Sequence, residues 1–177
     1  MTGLATITCS LTFNQNLIMN NKPNTLEQIS IDDRDRADNQ SELLVETIEY
    51  YKTNERGISQ DNAAECEYYC KSGKSYCAIG RILSKDYNQT DQDLAELNIA
   101  FGGSSWDTLG DDWSLLESDI YDDMNNKYGK TFLQQLQDLH DTEQNWNGNA
   151  TGGYDLSQHG MLAAMSLIKT YGLSVML

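Results

Sequence analysis

The chain has 177 residues, with 27 acidic against 12 basic side chains and a formal net charge of −15 at pH 7. A chain of this length forms one domain and buries about 70% of its unfolded surface, so it needs no disulfide or metal to fold. Its charge repels phosphate backbones and anionic lipids, which argues against direct nucleic-acid and membrane binding and favours a basic protein surface or a cation. Four cysteines are no disulfide framework and no run of 18 apolar residues occurs, so we expect a cytoplasmic protein.

The N-terminal part of the chain predicts an extension and then a loop. Residues 1–24, which include the only proline, are interpreted as a weak strand or a tail, and residues 25–177 as a single mainly α domain. Residues 31–40, IDDRDRADNQ, are charged and aperiodic, which is typical of a loop.

A helix is predicted from Ser41, whose side-chain oxygen can cap the first turn. Its apolar side chains follow the i, i+4, i+7 spacing of one helix face at Leu44, Ile48 and Tyr51. Gly57 lies just beyond its end.

The segment CEYYCKSGKSYCAI predicts a β-hairpin in which tyrosines and cysteines flank a polar turn. A two-residue turn at Gly73-Lys74 places Cys70 opposite Cys77. A turn one residue earlier instead pairs Tyr69 with Tyr76. The residues that follow continue either as a strand or as a short helix.

Four further helices are predicted from apolar spacing and capping residues, at residues 90–100, 111–128, 131–142 and 156–171. In the second and the last of them, the side chains expected to face inward are Trp113, Leu116, Ile120 and Met124, and Met161, Leu162, Met165 and Ile168. The fold class expected is therefore mainly α (α+β), with four to five helices and one small hairpin.

Acidic residues are concentrated in one stretch. Between Lys85 and Lys127 there are 11 acids and no base. Like charges four residues apart on a helix cost a few tenths of a kcal/mol, so helix stability does not favour this arrangement. We interpret its second part as a surface for a basic partner; the alternative is a solvated face without a partner. The residues of this predicted surface are Asp107, Asp111, Asp112, Glu117, Asp119, Asp122 and Asp123.

Cysteine and histidine side chains are weak candidates for a metal site. Zinc takes four nitrogen or sulfur ligands, usually beginning with two cysteines separated by two to four residues. Cys66 and Cys70 fit that spacing, Cys77 does not complete a usual second pair, and His140 is one of few remaining ligands. Buried free thiols are therefore favoured, with a Cys70–Cys77 disulfide as a further alternative, and we predict no metal or cofactor.

The segment from Glu143 to Thr151 partly matches a calcium-binding loop. Oxygen-bearing side chains occupy positions 1, 3, 5 and 9 with glycine at 6, but Tyr154 stands where a bidentate glutamate belongs. A Gly/Asn-rich chain reversal is therefore favoured. His140, just before it, is expected to complement the dipole of its helix end, or else to form a site with Asp141 and Trp146.

No nucleotide-binding, zinc-protease or serine-hydrolase motif is present, so the sequence favours a protein that is not an enzyme.

Three motifs together resemble small, uncharacterised accessory proteins encoded by tailed phages. They are a C…CAIG hairpin ending at Gly80, the sequence FLQQLQDLHD from Phe132 to Asp141, and the pair Asn145-Trp146. The similarity covers residues 25–172. It implies an accessory protein that inhibits a host nuclease or defence complex, and it carries no catalytic residue with it.

The function expected is thus non-enzymatic binding and inhibition of a host protein, through an acidic face, in the host cytoplasm. The alternatives are a small-molecule- or metal-binding protein, with its site near the cysteine hairpin and His140, and a structural virion component.

Overall fold

Helices form most of the fold, as the sequence predicts. In the computed structural model, the described residues are 25–57, 67–101, 106, 116 and 118–177. They contain six α-helices and two small antiparallel hairpins, one hairpin more than predicted. The mainly α (α+β) fold class is therefore confirmed. The predicted N-terminal extension, residues 1–24, lies outside the described residues.

The elements follow one another in the order α1, β1, β2, α2, α3, α4, α5, a single 3-10 turn at Glu143–Asn145, β3, β4 and α6. Their bounds are α1 Thr25–Tyr51, β1 Tyr69–Cys70, β2 Ser75–Tyr76, α2 Ala78–Tyr87, α3 Asp91–Phe101, α4 Ser118–Tyr128, α5 Lys130–Asp141, β3 Trp146–Gly148, β4 Tyr154–Leu156 and α6 Gln158–Tyr171.

Helix α1 begins well before the predicted cap, so the loop predicted at residues 31–40 is wrong. Tertiary contacts explain the difference: the Arg36 Nε donates to the Asn126 carbonyl at 3.2 Å, and the Gln40 Nε2 donates to the Tyr128 carbonyl at 2.6 Å. Ser41 lies inside the helix and returns its hydroxyl to the Ala37 carbonyl. Packing against α4 therefore overrides a weak local preference.

Helix α2 starts at the cysteine that ends the first hairpin. The Cys77 sulfur accepts a hydrogen bond from the Gly80 amide at 3.3 Å and so acts as the N-cap. A Cβ on Gly80 would lie 1.9 Å from the Tyr68 carbonyl oxygen, so only glycine permits this approach of α2 to β1. The segment after the hairpin is thus a helix, the second of the two forms left open.

Helices α3 and α5 match their predictions closely. Thr90 caps α3 reciprocally with Asp93, through the Thr90 Oγ1 and the Asp93 carboxylate. Helix α5 buries Phe132, Leu133 and Leu136 on one side.

Helix α4 buries part of the predicted stripe. Met124 is buried as predicted, Ile120 is only partly buried, and Tyr121 and Tyr128 are buried in addition. Leu116 is buried as predicted, and Trp113 lies outside the described residues.

Helix α6 is rotated relative to the prediction. It buries Gly160, Ala164 and Leu167, while Leu162 and Met165, predicted to face inward, are exposed. Its N-cap is Ser157, whose side chain accepts a hydrogen bond from the Gly160 amide. The reason lies in the close contact of Gly160 with the preceding segment, described below.

Within the described part of the chain, no helix has the length and apolar character needed to cross a bilayer.

The first prediction concerns the core face of α5. Leu136 is fully buried, so Leu136→Ala should lower the free energy of unfolding by about 2–5 kcal/mol through lost burial and a residual cavity. Denaturant unfolding monitored by circular dichroism measures this difference. Thr131→Ala, an exposed position of the same helix, is the control and should change the stability by less than about 0.5 kcal/mol.

Candidate functional site

The described part of the predicted acidic surface lies on α4. Asp119, Asp122 and Asp123 are all exposed and fall within one side of this helix, and none of them forms a salt bridge to a described residue. We refer to these three residues as the acidic face. The other predicted residues, Asp107, Asp111, Asp112 and Glu117, lie outside the described residues.

The acidic face is joined to the end of α2 through tyrosine hydroxyls. The Tyr87 hydroxyl donates to the Asp123 carboxylate at 2.7 Å, and the Tyr128 hydroxyl donates to the Asp86 carboxylate at 3.3 Å. Lys127 approaches Asp86 at 3.9 Å. The two ends of the acidic stretch therefore lie close together in the fold, and Lys127, the base that follows the stretch, is paired with Asp86.

Burial and the hydrogen bond to Asp123 raise the pKa of Tyr87 well above its ordinary value of 10.0. Tyr87 thus remains a hydrogen-bond donor to the Asp123 carboxylate at any physiological pH. This bond positions one carboxylate of the acidic face without neutralising it.

The acidic residues of the stretch that lie on α3 form hydrogen bonds within the protein. Asp91 accepts a hydrogen bond from the Tyr76 hydroxyl at 2.6 Å, Asp93 belongs to the reciprocal cap with Thr90, and Glu96 accepts from Gln92. These contacts explain part of the acidic composition without a partner molecule.

The first hairpin has the register that pairs Tyr69 with Tyr76 and Cys70 with Ser75. The register that places Cys70 opposite Cys77 is therefore wrong. The reason is a longer loop between the strands, in which Lys74 takes a left-handed φ of 50°. Both thiols are buried and free, as the favoured interpretation predicts.

The cysteines and His140 each have partners of their own. The Cys70 sulfur lies 3.2 Å from the Ser72 hydroxyl, the Cys77 sulfur caps α2, and the His140 Nδ1 lies 2.6 Å from the Asp141 carboxylate. Within the described residues, which exclude Cys66, no three His, Cys, Asp or Glu side chains are grouped to hold a metal ion.

His140 is a core residue, and the prediction that it complements the helix dipole as a cation is wrong. Its ring is fully buried and stacks obliquely on Tyr51, with ring centroids 4.8 Å apart. Burial lowers the pKa of His140, while hydrogen bonding to Asp141 opposes the shift only in part. The Nε2 of this ring is buried and has no hydrogen-bond partner among the described residues.

Arg56, which the sequence analysis did not single out, lies among His140, Trp146 and Tyr154. Its guanidinium is buried, donates to the His140 carbonyl and lies 5.5 Å from the Trp146 ring centre and 5.7 Å from that of Tyr154. Neither helical periodicity nor a motif marks Arg56; its only signal is a single base between Lys52 and Lys71.

The segment with partial similarity to a calcium loop forms the second hairpin. Trp146 pairs with Leu156, and Gly148 pairs with Tyr154. The Asn149 carboxamide oxygen accepts from the amides of Thr151 and Gly153 and therefore closes the loop from within. The favoured chain reversal is thus correct, but it contains strands that the sequence analysis missed.

A shallow groove of about 290 Å³ runs between α5 and α6. The Asn145 Nδ2 donates to the Leu139 carbonyl. This bond orients the side chain so that the Asn145 Oδ1 lies 2.7 Å from the His159 Nδ1. Because this oxygen can only accept, His159 donates from Nδ1. The groove is lined by hydroxyl and amide groups together with the Asp138 carboxylate, and the described residues form no assembled catalytic set in it.

Comparison of the chain with protein-family models, with curated proteins and with solved structures gives no significant match in any of the three.

The second prediction concerns Cys77. Cys77→Ala removes the acceptor for the Gly80 amide and should destabilise the protein by about 0.5–2 kcal/mol. Cys77→Ser should cost less, because its hydroxyl can accept the same bond and serine is a preferred N-cap. Thermal unfolding of both variants tests this order, and a serine variant less stable than the alanine variant would contradict the capping role.

The third prediction concerns pH. The unfolded chain protonates His140 near pH 6.5 and the folded chain only at lower pH, so the unfolded state binds more protons in between. The free energy of unfolding should therefore fall as pH is lowered through 6.5 toward 5. Denaturant titrations from pH 8 to 5 should show this slope in the wild type and in His159→Gln, the other histidine of the chain, and a weaker slope in His140→Gln. An equal slope in His140→Gln would assign the effect to other groups.

Proposed function

We propose that this protein is a non-enzymatic binding protein whose acidic face engages a basic surface of another protein. The observation that carries the proposal is the exposure of three carboxylates, Asp119, Asp122 and Asp123, on one side of α4, where none of them forms a salt bridge with a described residue. Such a field steers a positively charged partner and fixes its orientation.

The arrangement of α4 supports this proposal over simple solvation. Asp119 and Asp123 are four residues apart and repel each other, which weakens the isolated helix. Tyr87 nevertheless positions Asp123 by a direct hydrogen bond across two helices. The fold therefore holds the charges together instead of separating them.

The resemblance to small phage accessory proteins supports a more specific form of the proposal. In that form the partner is a host nuclease or a defence complex, and the protein inhibits it in the host cytoplasm by covering a basic surface. Nucleases carry basic surfaces because they neutralise phosphates, so an acidic face competes directly with nucleic acid.

The fourth prediction tests the acidic face by charge reversal. In the variant Asp119→Lys with Asp122→Lys and Asp123→Asn, the asparagine still accepts the Tyr87 bond, so the fold should survive. Partners captured from a bacterial lysate by the tagged wild type in about 0.05 M salt should be lost in about 0.5 M salt and lost with the variant. Affinity for a captured partner should fall at least about tenfold.

The matched control reverses two exposed charges elsewhere, Glu55→Lys with Glu143→Lys. Glu55 follows α1 and Glu143 follows α5, so neither control position belongs to the acidic face on α4. The control should retain partner binding. Unchanged affinity of the folded α4 variant, or an equal loss in the control, would refute a localised acidic face.

A further inference from the structure

Exposed large apolar side chains are concentrated on one surface of the described chain. Leu162 and Met165 on α6 are 60% and 54% exposed, and Met176 and Leu177 in the C-terminal segment are 98% and 44% exposed. Among the described residues, the remaining exposed large apolar side chain is Ile99, on α3. Contiguous apolar surface of this kind marks an interaction site, whereas single exposed residues do not.

These side chains line an open groove of about 680 Å³ between α6 and the C-terminal segment. We call it the methionine groove; its apolar lining includes Met161, Leu162, Met165, Ile168, Val175 and Met176, and the polar side chains at its edge are those of Ser166 and Lys169. A second depression of about 210 Å³ shares Met161 and Met176 with it and extends the apolar surface to Val45 and Ile48 on α1. Methionine adapts its shape to different apolar ligands because its side chain is unbranched and polarisable.

The rotation of α6 that exposes the groove is fixed by its first turn. A Cβ on Gly160 would lie 2.0 Å from the Asn145 carbonyl oxygen, so the glycine side of α6 must face that segment. The Ser157 amide also donates to the Asn145 carbonyl at 2.8 Å. The bulky side of α6 is therefore held outward by the fold.

Acidic residues form the α1 wall beside this apolar surface. Asp38, Glu42 and Glu46 follow the i, i+4, i+8 spacing of one helix side and border an adjoining depression that reaches Val175. Glu46 is paired with Arg81 and Lys85, whereas Asp38 and Glu42 form no salt bridge with described residues. Asp155 adds a further carboxylate next to the groove.

We propose that the methionine groove binds an amphipathic basic helix of another protein. The apolar side of such a helix fits a methionine-lined groove, and its lysines or arginines would meet Asp38 and Glu42. A second copy of this chain fits the groove less well, because it carries the same net charge of −15 and the same acidic wall. An anionic membrane would be repelled by the same negative charge. This surface is formed by α6 and α1 and is separate from the acidic face on α4.

The test uses a labelled peptide of about 18 residues made of leucine and lysine, with leucines at i, i+3, i+4 and i+7. Fluorescence anisotropy with the full chain should show at least about tenfold tighter binding than to a scrambled peptide of equal composition, or to a peptide with glutamate in place of lysine. Leu162→Gln with Met165→Gln should remove this preference. Ile99→Gln, which changes the exposed apolar residue outside the groove, should retain it.

Charge variants separate this proposal from the acidic face. Asp38→Asn with Glu42→Gln should weaken binding of the amphipathic lysine peptide, and Asp119→Asn with Asp122→Asn should not. Equal binding of the scrambled peptide, or no effect of the α6 variant, would overturn the proposal. A dimer in sedimentation that the α6 variant dissociates would assign the groove to a second copy, and cosedimentation with phosphatidylcholine vesicles would assign it to a membrane; either result also overturns it.

Discussion

The buried C-terminal end of α5 is the constraint on which the neighbouring structure depends. The last carbonyl groups of a helix have no partner within the helix, and leaving them buried without one is costly. The Leu139 carbonyl accepts from the Asn145 Nδ2 and the Trp146 Nε1, both at 2.9 Å, and the His140 carbonyl accepts from Arg56. One helix end thereby brings together the end of α1 and the second hairpin.

The same requirement explains the second hairpin. The Lys52 carbonyl, just past α1, accepts from the Asn149 Nδ2 at 2.9 Å and the Thr151 hydroxyl at 3.1 Å. The loop residues that partly match a calcium site in the sequence are thus used as helix-capping donors and loop-closing acceptors. Asparagine and threonine suit this role because they carry both donors and acceptors on short side chains.

The sequence predicts those elements whose signals are local. The α5 helix follows from the spacing of Phe132, Leu133 and Leu136, and the cap of α3 follows from Thr90. The helix at residues 31–40 was not predictable in this way, because its stabilising bonds from Arg36 and Gln40 go to residues about 90 positions away. The buried Arg56 escaped prediction for the same reason: its partner at His140 is distant in sequence.

In helix α6 the apolar pattern identifies one side of the helix correctly, but that side is exposed and not buried. Met161, Leu162 and Met165 do form one apolar stripe, but the side that packs inward is the narrow one with Gly160 and Ala164. Burial was decided by the closeness of approach, since a larger side chain at position 160 would collide with the Asn145 backbone. The two proposed binding surfaces differ in their physics: charge on α4 would act at a distance and be screened by salt, whereas the methionine groove would act only on contact. A partner that carries both a basic surface and an amphipathic helix would use the first to approach and the second to remain bound.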